Sequence, residues 1–219
     1  VSSLHANRLP FEKKKMRKSH LVPLTILALS ASIWSHDIVR GDPQDQSPDR
    51  SLKSGEAVVW YLGHCGYAVR TRNHLLVFDY QGHRDGQQRK VRPPKPSLGN
   101  GWINPEEIKD LSVRVFASHS HDDHYDPVIL EWRKTIPDLE YYFGWKVSDD
   151  PLFHYLVGPR AELESGGLII ATINSHHSGV PEVAWLVQVD GLVIYHNGDC
   201  QPADEASEYK FLKKKVERI

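Results

Sequence analysis

Ala117-Ser118-His119-Ser120-His121-Asp122-Asp123-His124-Tyr125-Asp126-Pro127 packs three histidines and two aspartates into six residues. The apolar run before it, Val113-Arg114-Val115-Phe116-Ala117, reads as a strand. Behind it, Asp126-Pro127 reads as a helix start, with an N-cap aspartate and a proline at the first helical position. That helix is predicted from about Pro127 to Thr135, ended by Pro137. The cluster thus falls in a loop between a strand's C-terminal end and a helix N-terminus. A rigid scaffold holds such a loop, and backbone N–H groups point towards it.

Spacing adds to the count. His119 and His121 are two residues apart, so in extended backbone both imidazoles project to one side. Asp123 and His124 follow after the chain has begun to turn and can aim at a neighbouring point. Neutral imidazole and carboxylate are ligands of catalytic zinc sites, which keep one position open. Four packed donors exceed the needs of one open site and predict two metals sharing a water. The plain alternative is a polar loop with surface histidines.

His119-Ser120-His121-Asp122-Asp123-His124 matches the H-x-H-x-D-H signature and resembles the metallo-β-lactamase-fold hydrolases. Three further stretches, in the family's order, extend the resemblance over roughly residues 57 to 200. Val59-Trp60-Tyr61-Leu62-Gly63-His64-Cys65-Gly66-Tyr67 is similar to the opening strand and glycine turn. Leu76-Val77-Phe78-Asp79 is similar to the aspartate-ending strand, and Ile194-Tyr195-His196-Asn197-Gly198-Asp199 to the segment with the late metal-binding aspartate. The resemblance implies an α/β fold, an αββα sandwich of two mixed β-sheets with outer helices. It implies a first metal held by His119, His121 and a third histidine after the strand Leu168 to Asn174; His177 fits best and His176 is its neighbour. A second metal would be held by Asp123, His124 and Asp199. The implied metal is Zn2+, one or two ions per chain, with Mn2+ or Fe2+ as substitutes. The implied chemistry is attack of a metal-activated water on an ester, lactone or related bond of a small molecule, with Asp123 as the catalytic carboxylate. Similarity to the branch containing the sugar-lactone hydrolases favours a lactone or small ester. Asp79 is expected to orient ligands from behind. The family ordinarily adds a final histidine to the second site, and no histidine follows Asp199. The expectation is therefore a C-terminally truncated domain, with an unpaired sheet edge and a second site one donor short. A catalytically silent metal-binding protein and a nuclease on the same fold are the alternatives.

Two hundred and nineteen residues with 25% charged side chains and a formal charge of −1 describe an ordinary single-domain protein, without the basic balance of bulk nucleic-acid binders. Two cysteines, Cys65 and Cys200, are too few for a disulfide framework; each neighbours a motif, and buried free thiols are the simpler reading. Lys13-Lys14-Lys15-Met16-Arg17-Lys18, the apolar Leu21 to Leu29 and the small Ser30-Ala31-Ser32 follow the pattern of a signal peptide of bacterial type. Export to the periplasm or medium follows, with a cytoplasmic protein whose segment is a buried helix as the alternative. The apolar run is too short for a stable membrane anchor. Residues 1–34 are thus an extension, 35–56 a flexible polar linker, and 57–219 the domain. Between 80 and 103, Arg84, Arg89, Lys90, Arg92 and Lys95 lie among prolines, either as a lid over an anionic substrate or as a solvated basic loop. His64 is read either as a structural histidine in a glycine turn or as a neighbour of the site. Asp190-Gly191 is the favoured two-residue hairpin turn, and Ala203 to Lys215 a terminal helix.

Overall fold

A computed structural model describes residue 48 and residues 51–85, 88–175, 179–199 and 205–216. The signal-peptide-like segment, most of the expected linker, His176, His177 and Cys200 lie outside the described residues.

Two sheets stack face to face. The first runs β1 (Val58–Gly63), β2 (Gly66–Arg70), β3 (His74–Phe78), β6 (Ser112–Ala117), β7 (Leu139–Phe143), β8 (Phe153–Tyr155). β1, β2 and β3 pair antiparallel, and β3, β6, β7 and β8 parallel, so this sheet is mixed. The second runs β12 (Leu192–His196), β11 (Val183–Val189), β10 (Leu168–Asn174), β9 (Glu162–Ser165), and all its pairings are antiparallel. A short hairpin, β4 (Arg84–Asp85) and β5 (Gln88–Arg89), lies in the long loop.

Strand alternation builds four layers. On β3, Leu76 and Phe78 face the second sheet, while Leu75 and Val77 face outward. The inner side meets Val183, Trp185 and Val187 of β11. The outer side is covered by Ile108 of α1 (Pro105–Ile108) and by Ile129 and Trp132 of the segment after the histidine cluster. On the far side of the second sheet, Ala171, Ile173, Ala184 and Leu186 pack with Val216 of α2 (Glu205–Val216). Every residue of β3 is buried, as expected of a strand covered on both faces. Phe116 stacks between Phe78 and Tyr142 and meets the fully buried Trp185 edge to face, so truncating Trp185 to alanine would cost about 3–5 kcal/mol. No helix among the described residues is long and apolar enough to cross a membrane.

The structure departs from the sequence reading in several places. The expected helix after the cluster forms over Pro127–Lys134 and is wound as a 3-10 helix, with Ile129 and Trp132 buried three residues apart. The Asp126 cap holds, with Oδ1 accepting from Val128 N at 2.9 Å. Residues 51–56 are not a flexible linker. Leu52 is buried, and Ser54 Oγ and Gly55 N both donate to the Asp190 carbonyl at the β11–β12 turn. In the basic loop, Lys90 turns inward. Its Nζ donates to the Leu62 and Gly101 carbonyls and lies 4.6 Å from the Trp102 ring centroid, which makes it a latch between loop and β1. β8 and β9 gave no sequence signal, being short and lying at sheet edges.

Candidate metal centre

The cluster loop leaves β6 beside the end of β3, at the carboxyl edge of parallel strands, where open sheets form crevices. Asp79, the first residue after β3, has φ 42°, a left-handed conformation that aspartate tolerates. Its fully buried carboxylate accepts from Ser118 N (2.7 Å), Ser118 Oγ (2.7 Å) and His124 Nδ1 (2.8 Å). Because the Ser118 hydroxyl proton goes to Asp79, Ser118 Oγ accepts from His119 Nδ1 at 3.0 Å. One buried carboxylate therefore orients both rings and places both Nε2 atoms on the same side, where a bound cation would displace the proton that His124 Nε2 shares with Asp199.

The other donors converge there. His119 Nε2 is 3.2 Å from His121 Nδ1. His124 Nε2 is 3.2 Å from Asp199 Oδ1 and 3.2 Å from His64 Nε2, and His64 Nε2 is 3.5 Å from Asp123 Oδ2. Two sets of donor atoms, each within 4.8 Å of one another, could hold a cation: His119, Asp123 and His124, and His64, Cys65, His124 and Asp199. The predicted residues His119, His121, Asp123, His124 and Asp199 are thus brought together, and His177 with its alternative His176 lies outside the described residues.

Charge is tuned by this geometry. Burial and the adjacent His124 push the His119 imidazole down to about 4, which keeps it neutral and ligand-competent. Burial alone would also lower His124, but its bonds to Asp199 and Asp79 prevail and raise it to about 10. The His124 bond holds Asp199 well below the usual carboxylate range. Burial works to raise Asp79, yet His196, His124 and Ser118 outweigh it and keep the carboxyl ionised. Burial pushes the Cys65 thiol up, with Asp79 and Asp199 adding to the effect.

Glu182 escaped the sequence reading. It precedes β11, its side chain is fully enclosed, and Oε1 accepts from Asp199 N at 2.9 Å and lies 3.5 Å from His119 Nδ1. Gly198 has φ 56°, and a Cβ there would sit 2.9 Å from Glu182 Oε1 and from Ser118 Oγ, so the turn presenting Asp199 requires glycine. A lone glutamate next to a proline carries no local signal of that role.

A family profile described as a beta-lactamase superfamily domain matches residues 58–215. A curated relative, the UPF0173 metal-dependent hydrolase of Thermococcus kodakarensis, is 25% identical over 155 residues, covering 64% of this chain and 60% of that protein. Among solved structures, the metallo hydrolase Igni18 of Ignicoccus hospitalis aligns with TM-score 0.44 and 19% identity over 68% of this chain and 63% of its own. CmlA, a diiron β-hydroxylase from Streptomyces venezuelae, aligns with TM-score 0.48 and 12% identity over 72% and 32%. The chain spans less than two thirds of the length of the curated relative. With the profile running from β1 into α2 and the histidine–aspartate cluster at the crevice, the chain belongs to the beta-lactamase superfamily, as a domain of the metallo-β-lactamase fold.

Proposed function

We propose that this chain is the core of a metal-dependent hydrolase acting on an ester, lactone or related bond of a small molecule, with zinc as the working metal. The observation that carries the reading is the convergence of His119, His121, Asp123, His124 and Asp199 on one crevice, with their buried partners directing the lone pairs into it. The donor set fits a divalent cation: imidazole and carboxylate are both zinc ligands, and two buried carboxylates, Asp79 and Glu182, stand behind the rings as outer partners usually do. His119 and His121, with His177 as third donor, would hold one ion, and Asp123, His124 and Asp199 a second. When bound, the cations supply Lewis acidity that acidifies water and polarises a carbonyl.

The chain's own residues account for the rest. Asp123 sits at the rim between His119 and His64, partly exposed, where its carboxylate can take a proton from an attacking water. Asp79 and Ser118 hold His124 and His119 in their tautomers, and Glu182 fixes the Asp199 backbone. The basic and apolar segment around residues 13–32 supports an exported protein.

Purified full-length chain should retain divalent metal by elemental analysis. It should cleave an aryl acetate or a sugar lactone faster than an aryl phosphodiester, with activity lost to a chelator and restored by Zn2+. Cleavage that persists unchanged in metal-free protein would defeat the proposal, and preferential cleavage of the phosphodiester would replace the substrate class.

A further inference from the structure

We propose that His64 and Cys65, the two residues at the tip of the β1–β2 hairpin, complete the second metal seat together with His124 and Asp199 and make it a mixed nitrogen, oxygen and thiolate site. The inference rests on the metal-dependent reading above and assigns a ligand role to two residues outside the signature.

Three observations carry it. First, the four donor atoms lie within 4.8 Å of one another. Metal–ligand bonds of about 2.0–2.3 Å in a tetrahedron require donors roughly 3.3–3.8 Å apart. His64 Nε2 to His124 Nε2 is 3.2 Å, His124 Nε2 to Asp199 Oδ1 is 3.2 Å, and Cys65 Sγ to Asp199 Oδ1 is 3.8 Å. Three edges of such a figure are already present.

Second, the hairpin spends conformational energy to place these side chains. Gly63 pairs with Gly66 across the tip, and His64 has φ 46°, a region that costs a non-glycine residue about 1–2 kcal/mol. A Cβ on Gly66 would lie 2.9 Å from the Gly63 carbonyl oxygen and 3.0 Å from that of Asp79, so the tip is pressed against the strand end that holds the site. His196 Nε2 donates to the Cys65 carbonyl at 2.8 Å and anchors the tip from the second sheet. A hairpin with no task here would carry glycine or asparagine at the left-handed position.

Third, the donor set balances. With Cys65 in place Asp123 is left to the attacking water, and one thiolate and one carboxylate offset the two charges of a divalent ion while His64 and His124 bind as neutral imidazoles. On binding, the Cys65 S–H proton passes to solvent and a sulfur–metal bond replaces the S–H bond. Thiolate ligation favours zinc over manganese or magnesium.

Metal-free full-length chain, reduced, is titrated with Co2+ while absorbance and bound metal are followed. The wild type should develop a near-ultraviolet thiolate-to-cobalt charge-transfer band. Cys65→Ser should lose that band, keep one equivalent of metal, and weaken the other by at least ~10-fold, the smallest cost expected of a ligand-side change. Cys200→Ser should keep the band, and His64→Ala should weaken the same equivalent with the thiolate band shifted. Metal should also protect Cys65 from alkylation in the wild type. Circular dichroism of Cys65→Ser and Cys65→Ala identifies any variant that fails to fold, and the alkylation assay on the wild type decides the matter independently. Metal binding with no charge-transfer band, a band that survives Cys65→Ser, or alkylation of Cys65 at the same rate with and without metal would each overturn the proposal while leaving metal-dependent hydrolysis intact. A wild type that takes up no Co2+ or Zn2+ would overturn the functional reading itself, and this seat with it.

Discussion

Two histidine–carboxylate networks sit at opposite ends of β3. At the start of the strand, Asp190 accepts from Thr71 Oγ1 (2.6 Å), Asn73 N (2.8 Å) and Asn73 Nδ2 (2.5 Å), and pairs with His74 Nδ1 (3.1 Å). The other nitrogen of His74 faces the Gly166 carbonyl at 2.9 Å. Each of these donors meets an acceptor within the protein, and the network ties the β2–β3 turn to the β11–β12 turn. At the end of the strand, Asp79, His119 and His124 begin the same way. There, however, the outward nitrogens meet a cluster of further metal-ligating atoms, His121 Nδ1, His64 Nε2 and Asp199 Oδ1, rather than a single carbonyl. The same residue types thus build a clasp where donors and acceptors alternate and a cation seat where acceptors converge. Burial does not separate the two networks; the crowding of ligating atoms around one point does.

His121 is the donor whose loss the cation seat can least absorb. His121→Ala removes a donor with no replacement beside it, so zinc affinity should fall by more than ~100-fold, beyond the 10–100-fold typical of outer partners. Hydrolysis should fall with it while the melting curve stays close to wild type, because His121 is only partly buried. Chelator competition and circular dichroism together check this, and a variant with full metal content removes His121 from the site.

Asp79→Asn keeps the shape but weakens the acceptor that orients His124 and, through Ser118, His119. Metal affinity should drop about 10–100-fold with both ions affected. A loss confined to one ion would show that Ser118 orients His119 without help from Asp79.

At the other end, Asp190→Ala should cost about 2–3 kcal/mol of unfolding free energy by stranding several donors, while zinc affinity changes less than about twofold. Urea unfolding and metal titration of one sample separate the two quantities. A marked loss of metal would mean that the clasp and the seat are coupled through β3.

The two ends of β3 also differ in a pH signature of the metal-free protein. The bonds from Asp199 and Asp79 overcome burial and raise His124 from 6.5 to about 10. Its stabilisation is complete below about pH 6.5 and is lost as pH rises through 10, at up to about 1.4 kcal/mol per unit for one proton. Burial tends to raise Asp190, but bonds from Thr71, Asn73 and His74 hold it at about 2 against an ordinary 3.8. That contribution is present above about pH 4 and is lost as pH falls through 2. His119, pushed down to about 4, adds a further loss on the acid side as pH falls from 6.5. Asp79→Asn should soften the alkaline limb, with a smaller change on the acid side from its own carboxyl and from His119, and Asp190→Ala should soften the acid limb while leaving the alkaline one in place. An alkaline limb unchanged in Asp79→Asn would contradict the assignment of that proton to His124.

The features legible along the chain are local ones. Apolar runs marked β3, β6, β10, β11 and β12, because alternation and turn residues are properties of neighbours along the chain. Asp190-Gly191 turned as expected, both residues taking positive φ, and Asp126 capped the helix it announces. The H-x-H-x-D-H loop was legible as a site because its donors are crowded within six residues. Tertiary structure decided what depends on distant pairing. Pro127 to Lys134 took 3-10 winding, with Ile129 and Trp132 in the outer core, a winding that its residues do not announce. Residues 51–56 became ordered on a turn more than a hundred residues away. Lys90 turned inward onto two carbonyls. His64 and Cys65 came to face His124 and Asp199 across 60 and 134 residues of chain because β1 and β2 carry them there. A lone pair's direction is fixed by the partner behind it, and that partner is chosen by sheet register, which no short stretch of sequence records.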